Sequence, residues 1–267
     1  MKRVAIIGCG ALGTTLMRIV KERLSDRYTL CGVMAAHMEH AQEAAARWGC
    51  HACGSVQALI GDRPDIVVEL AGAAAVRGHA ETILRAGIPL AVASVGALAD
   101  DALRERLAAA ARAGETALYV ISGAVGGFDA LRTLAMQGGV ELTVDNVKAP
   151  RSLTGAPYLE GRALSETSEQ LAFDGSAREA IAGFPKNVNV AIGSALAAGT
   201  LDSARVVIRS CPGMTDNLHC IQASSPLADL EMTFRSRPDS ENPRSSIITA
   251  YSAAALLEQL DSPIRFF

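Results

Sequence analysis

Apolar and polar positions follow two different rhythms along this chain. Up to Ile121, short β-branched runs alternate with stretches whose apolar residues recur every three or four positions. Val4–Ile7, Thr29–Met34, Asp65–Leu70, Pro89–Ser94 and Ala117–Ile121 read as strands. Each is a nearly continuous apolar run, as expected for strands covered on both faces. Leu12–Leu24 carries Leu12, Leu16, Val20 and Leu24 on one stripe and reads as a helix, as do Met38–Trp48, Ala75–Ala86 and Asp101–Ala113. Gly49 is the expected left-handed stop of the second helix, and Ser55 caps a short helical turn over Ser55–Ile60. Such alternation predicts an α/β fold, with an N-terminal Rossmann-type, doubly wound parallel sheet.

After Ser122-Gly123 the rhythm changes. Gly126–Met136 and Val188–Ala198 retain helical character, but Val140–Lys148, Arg205–Ser210, His219–Ala223 and Glu231–Arg235 alternate with period two. Gly-, Pro- and Ser-rich turns separate them, which predicts a smaller α+β domain on an open, mainly antiparallel sheet. Ser246–Leu260 is a last apolar helix, expected to return to the first domain. The expected division is therefore 1–121 for dinucleotide binding, 122–244 for substrate binding and dimerisation, and 245–267 packing back on the first part.

Composition narrows the function classes. The 267 residues carry 25 basic and 28 acidic side chains, a net charge of −3 that leaves no basic footprint for nucleic acid. Hydrophobic residues reach 49%, ample for a core, and no apolar run is long enough for a membrane span. Gly8, Gly10 and Gly13 interrupt the apolar start where a secretory leader would continue, so a cytoplasmic protein is expected. Six scattered cysteines give no disulfide framework. Cys50 and Cys53 form a C-x-x-C pair, but zinc needs two more ligands and no second pair exists, so buried or half-buried thiols are expected and no metal.

Gly8-Cys9-Gly10-Ala11-Leu12-Gly13 fits G-x-G-x-x-G between the first strand and helix. Gly8 serves the tight turn, Gly10 lets backbone approach a pyrophosphate, and Gly13 permits close helix–strand packing. The free N–H groups of the helix start then face the phosphates, so the spacing predicts a dinucleotide site. The second strand ends in Val33-Met34-Ala35-Ala36-His37, with neither the usual ribose-binding carboxylate nor an arginine. NAD or NADP both remain open. Ser94–Leu98 and Ser122–Gly127 end strands at the carboxyl edge of the sheet, where ligands bind in such folds.

Four histidines have ordinary surface or helix settings, whereas His219 sits where the polar turn Thr215-Asp216-Asn217 enters a strand. An imidazole there can act as acid or base near neutral pH, or be structural. Phe184-Pro185-Lys186-Asn187-Val188-Asn189 opens a helix; Lys186 and Asn187 offer donors to a substrate carboxylate, or Asn187 is only a cap. Asn242-Pro243-Arg244-Ser245-Ser246 poses the same choice at the last helix.

Taken together, Gly8–Gly13, Ser94–Asp100, Ser122–Gly127, Phe184–Ala191, Asp216–Ile221 and Asn242–Ser246 resemble the L-aspartate dehydrogenase family, in order along nearly the whole chain. The resemblance implies NAD(P)-dependent oxidation of L-aspartate to iminoaspartate, then hydrolysis to oxaloacetate and ammonia, or delivery of the imine to NAD biosynthesis. It places the active-site histidine at His219 and nicotinamide contacts at Ala124 and Asn189, beside the cofactor loop Gly8, Gly10, Ala11, Leu12 and Gly13. Lys186, Asn187, Ser245 and Ser246 are then candidates for the two substrate carboxylates, and a homodimer is expected. The competing readings are a dihydrodipicolinate reductase-like enzyme, whose paired histidines are not found, and a non-catalytic dinucleotide sensor.

Overall fold

A computed structural model describes residues 1–237 and 247–266. Two compact units divide the chain, one of Met1–Gly123 with Ile247–Phe267 and one of Ala124–Ser246.

In chain order, the first unit runs β1 (Lys2–Ile7), α1 (Ala11–Arg23), β2 (Tyr28–Met34), α2 (Met38–Trp48), β3 (His51–Ala52), α3 (Val56–Gly61), β4 (Ile66–Glu69), α4 (Ala73–Arg85), β5 (Leu90–Val92), α5 (Asp101–Ala113) and β6 (Leu118–Val120). The strands form one parallel sheet in the order β3-β2-β1-β4-β5-β6. Strand order reverses between β1 and β4, so the loops after these two strands open a crevice at their carboxyl ends. Every residue of β4 is buried, as helices on both faces of a parallel sheet require. The two caps read from sequence form: Gly49 is left-handed at φ 68° and Ser55 Oγ accepts from Ala58 N. His51–Ala52 is too short to show a period, and the pattern of apolar residues missed it.

The second unit contains α6 (Phe128–Gln137), β7 (Glu141–Lys148), α7 (Pro150–Leu153), β8 (Gln170–Ser176), α8 (Ala177–Gly183), α9 (Asn189–Ala197), β9 (Arg205–Ser210), β10 (Asn217–Ser224) and β11 (Asp229–Ser236). Its sheet has the order β11-β10-β7-β9-β8; only the β7–β9 pair is parallel. Alternation holds along β7, where Leu142, Val144, Asn146 and Lys148 are buried and the residues between them are not. β8 and α8 went unread because β8 buries only Ala172 and Phe173 and keeps no period of two. A capping box of Ser176 and Glu179 starts α8. Helix α9 begins at Asn189 rather than Val188, and its cap position, Val188, has no side-chain hydrogen bond.

Helix α10 (Ile248–Asp261) belongs to the first unit. Ala250, Ala253, Ala254 and Leu257 share a core with Leu16, Met17 and Val20 of α1. Tyr28 Oη donates to the carbonyl of Leu257 at 2.8 Å, and Lys2 pairs with Asp261 at 3.0 Å. Small alanines let α10 lie close to α1, which gives the alanine-rich composition a packing role.

Candidate active site

The three glycines of the loop have three different settings. Gly8 has φ 111°, and a Cβ there would come within 2.8 Å of the Leu70 carbonyl carbon. A Cβ on Gly13 would lie 1.8 Å from the Gly8 carbonyl oxygen, so helix and turn touch through bare backbone. Gly10, the cap residue of α1, faces open space with no atom within 4 Å of its missing Cβ. Unpaired N–H groups and the positive end of α1 therefore look onto a surface that a phosphate can approach. This arrangement fits the dinucleotide that the spacing implies.

A cavity of about 470 Å³ adjoins that surface, lined by Gly8, Gly10 and Thr14 on one side and by Ala35, His37 and Arg47 on another. The residues after β2 carry no carboxylate, as read from sequence. Arg47 changes the picture. It reaches the cavity from the last turn of α2, stacked 5.0 Å over the Trp48 ring, a position that inspection of the strand end alone misses. His37 and His40 are exposed, as expected, yet both line the same cavity.

Glu69 anchors the neighbouring loops. It is 1% exposed and accepts four hydrogen bonds, from Ala71 N and Gly72 N at 2.7 Å and from Ser94 N and Ser94 Oγ at 3.1 and 2.9 Å. Burial pushes its carboxyl up while these donors pull it back. Ser94 is thus tied down rather than presented freely at the sheet edge. Ser122 Oγ pairs with Ser252 Oγ at 2.9 Å.

In the second unit, buried Asn146, Lys148, Ser210, His219 and Ser236 lie on neighbouring strands of the sheet. His219 is 3% exposed, and its Nδ1 lies 2.6 Å from Asn146 Oδ1, its register partner across β7 and β10. With the amide oxygen accepting, Nδ1 carries the proton and Nε2 keeps the lone pair. Burial, and then the charge of Lys148, pushes the imidazole down to about 3, so it is neutral at pH 7. Lys148 is itself buried; its Nζ donates to Asn217 Oδ1 at 3.3 Å, and desolvation brings it down to about 8. Sequence reading passed over Lys148 as one residue of an alternating strand. The available signal was its parity, since it shares the inward set of Leu142, Val144 and Asn146.

The other sequence candidates are placed as follows. Ala124 is buried at the start of the second unit, and Asn189 is the first residue of α9. Lys186 is exposed between α8 and α9. Asn187 does not cap α9; its Nδ2 donates to the carbonyl of Ser152 in α7 at 2.9 Å. Ser245 and Ser246 lie outside the described residues. The C-x-x-C pair is not bridged: both thiols are free, burial holds Cys50 up at about 11, and burial with the Asp62 hydrogen bond holds Cys53 up at about 12. Thiols so strongly protonated are poor nucleophiles. Among the described residues, no group of three His, Cys, Asp or Glu side chains is arranged to hold a metal ion, and no helix is long and apolar enough to cross a membrane.

Comparison with known proteins bears on both units. Residues 8–121 match the family model of the homoserine dehydrogenase NAD-binding domain, and residues 129–260 match that of the aspartate dehydrogenase C-terminal domain. L-aspartate dehydrogenase from Polaromonas sp. is 34% identical over 96% of this chain and 97% of its own. L-aspartate dehydrogenase from Pseudomonas aeruginosa is 36% identical over the same shares. The crystal structure of aspartate dehydrogenase from Thermotoga maritima superposes with a TM-score of 0.74 over 100% of both chains at 24% identity, a likeness of fold. With the glycine loop, the mixed second sheet and these full-length relatives, the chain belongs to the L-aspartate dehydrogenase family of NAD(P)-dependent oxidoreductases.

Proposed function

We propose that this protein oxidises L-aspartate with NAD or NADP to iminoaspartate, which water converts to oxaloacetate and ammonia. The observation that carries this reading is the buried His219, held neutral and oriented by Asn146, in a chain that aligns over 96% of its length with an L-aspartate dehydrogenase. Gly8, Gly10, Ala11, Leu12 and Gly13 hold the dinucleotide phosphates in this reading, and Ala124 and Asn189 meet its nicotinamide end. When bound, the dinucleotide supplies the acceptor for the hydride that leaves the substrate α-carbon.

His219 acts at the nitrogen. Its Nε2 lone pair takes a proton from the substrate amine, whose own lone pair is then free to form the C=N bond as hydride departs. Nδ1 stays hydrogen-bonded to Asn146 throughout, which stabilises the ring in one orientation. The resulting imidazolium can return its proton during addition of water to the imine carbon. Iminoaspartate released before hydrolysis is available to pyridine-nucleotide synthesis. Free thiols and the net charge of −3 fit a cytosolic protein without a nucleic-acid partner, and membership of the family is the ground for expecting a homodimer.

The test is the absorbance band of reduced nicotinamide when purified protein meets L-aspartate and either coenzyme. Aspartate-dependent appearance of that band is expected. Tight binding of both coenzymes without any reduction would overturn the enzymatic reading in favour of a dinucleotide sensor.

A further inference from the structure

Lys148 is misplaced by every rule of strand patterning. It occupies an inward position of β7 that its neighbours on the same face fill with Leu142 and Val144, and it is 8% exposed. A buried ammonium is costly unless charged or hydrogen-bonded partners surround it. Among the described residues its protein partner is a single neutral oxygen, Asn217 Oδ1 at 3.3 Å, for a group with three N–H donors. Among the described residues no carboxylate pairs with it. Asp145, on β7, is bound to Arg209 at 2.8 Å, and Asp216, just before β10, lies 3.8 Å from Arg235.

The groups around Lys148 are also incomplete. Ser210 is its register partner on β9, and Ser236 is the partner of Asn217 on β11. Among the described residues both hydroxyls are buried without a hydrogen-bond partner, as is Asn146 Nδ2. Buried polar atoms without partners are uncommon and call for an explanation. Lys148 also lies on the diagonal of the His219–Asn146 pair, about 7 Å from His219 by ordinary ladder spacing. A small amino acid can therefore meet both residues at once.

We infer that Lys148 is the carboxylate anchor of the substrate site: its ammonium, supported by the Ser210 and Ser236 hydroxyls and Asn146 Nδ2, receives the side-chain carboxylate of the dicarboxylic amino acid whose amine faces His219. The inference rests on the aspartate-oxidising reading and moves the anchor from exposed Lys186 to a buried cation. One anion satisfies the charge and several of the orphan donors together, whereas an apolar or monocationic ligand would leave them unpaired.

The chain has four lysines, Lys2, Lys21, Lys148 and Lys186, so side-chain ¹⁵N-lysine spectra of the coenzyme-loaded protein resolve the question directly. Succinate is the probe, and Lys148→Met and Lys186→Gln assign the signals. Succinate should shift the Lys148 resonance and leave Lys186 in place; a shift confined to Lys186, or none at Lys148, overturns the assignment. In kinetics, Lys148→Met should raise KM for L-aspartate by roughly 30- to 100-fold, the scale of one charged hydrogen bond, and abolish preference for L-aspartate over L-asparagine. Lys148→Arg should recover part of that preference. A purely structural lysine would leave the preference intact, and that result also overturns the proposal. Should Lys148→Met not fold, Lys148→Arg assigns the spectrum in its place. Because succinate binding needs no turnover, loss of the aspartate-oxidising reading is told apart by wild-type protein that shows the Lys148 shift yet reduces no coenzyme.

Discussion

Asn146 Oδ1 and His219 Nδ1 stand 2.6 Å apart, opposite one another on β7 and β10, and both side chains are buried. The contact selects the tautomer that leaves the Nε2 lone pair free. Asn146→Ala should therefore lower kcat about 10- to 100-fold by freeing the ring, and His219→Ala about 100- to 10,000-fold by removing the base. Dissociation constants for NAD and NADP, measured by fluorescence titration, should stay within about threefold. Wild-type turnover in His219→Ala would sink its role.

Lys148 should cost the fold stability that the site uses for binding. Its value of about 8 lies below the ordinary 10.5, so between those limits the unfolded chain binds the proton that the folded chain has shed. Stability thus rises with pH across that window, and the penalty is fully present below pH 8. At pH 7 Lys148→Met should stabilise the protein by about 2–3 kcal/mol, raising the melting temperature by roughly 5 °C, with the advantage fading as pH climbs from 8 to 10.5.

His219 works in the same direction at the acid end. Its folded value of about 3 lies below the ordinary 6.5, so stability is lost as pH falls from 6.5 towards 3. Thermal melts of His219→Gln should show a shallower loss over that range than the wild type.

Two glycines of one loop should fail differently. Gly13→Ala forces a Cβ to 1.8 Å from the Gly8 oxygen and should destabilise the first unit by about 3 kcal/mol or more. Gly10→Ala meets nothing within 4 Å, so its melting temperature should stay near wild type while coenzyme affinity drops about tenfold. Equal losses of stability in both variants would contradict the separate roles.

Coenzyme choice should respond to the cavity wall. Arg47→Ala should weaken NADP more than NAD, because a guanidinium favours a 2′-phosphate, and Ala35→Asp should shift preference about tenfold towards NAD by repelling it. Paired titrations of each variant with both coenzymes check the direction.

What the chain disclosed by pattern alone follows from which residues act through neighbours in sequence. The G-x-G-x-x-G turn, the caps at Gly49 and Ser55 and the buried strands are local, so spacing carries them. His219 could be singled out by its polar turn, but its partner Asn146 lies 73 residues away and only the β7–β10 register joins them. Arg47 reaches the cavity from the far end of α2, and Lys148 looks like an ordinary strand residue until parity is counted. Asn187 is the opposite case: its position before a helix suggests a cap, while Val188 takes the cap position and Asn187 Nδ2 donates to Ser152 instead.

Glu69 has a consequence for how coenzyme binds. One carboxylate fixes backbone N–H groups on both the β4 and β5 loops, so those loops are ordered before any ligand arrives. The entropy of arranging that part of the crevice is met during folding, not during association. Binding there should resemble a key entering a finished lock, with a fast on-rate and little change in amide-exchange protection at Ala71 and Gly72.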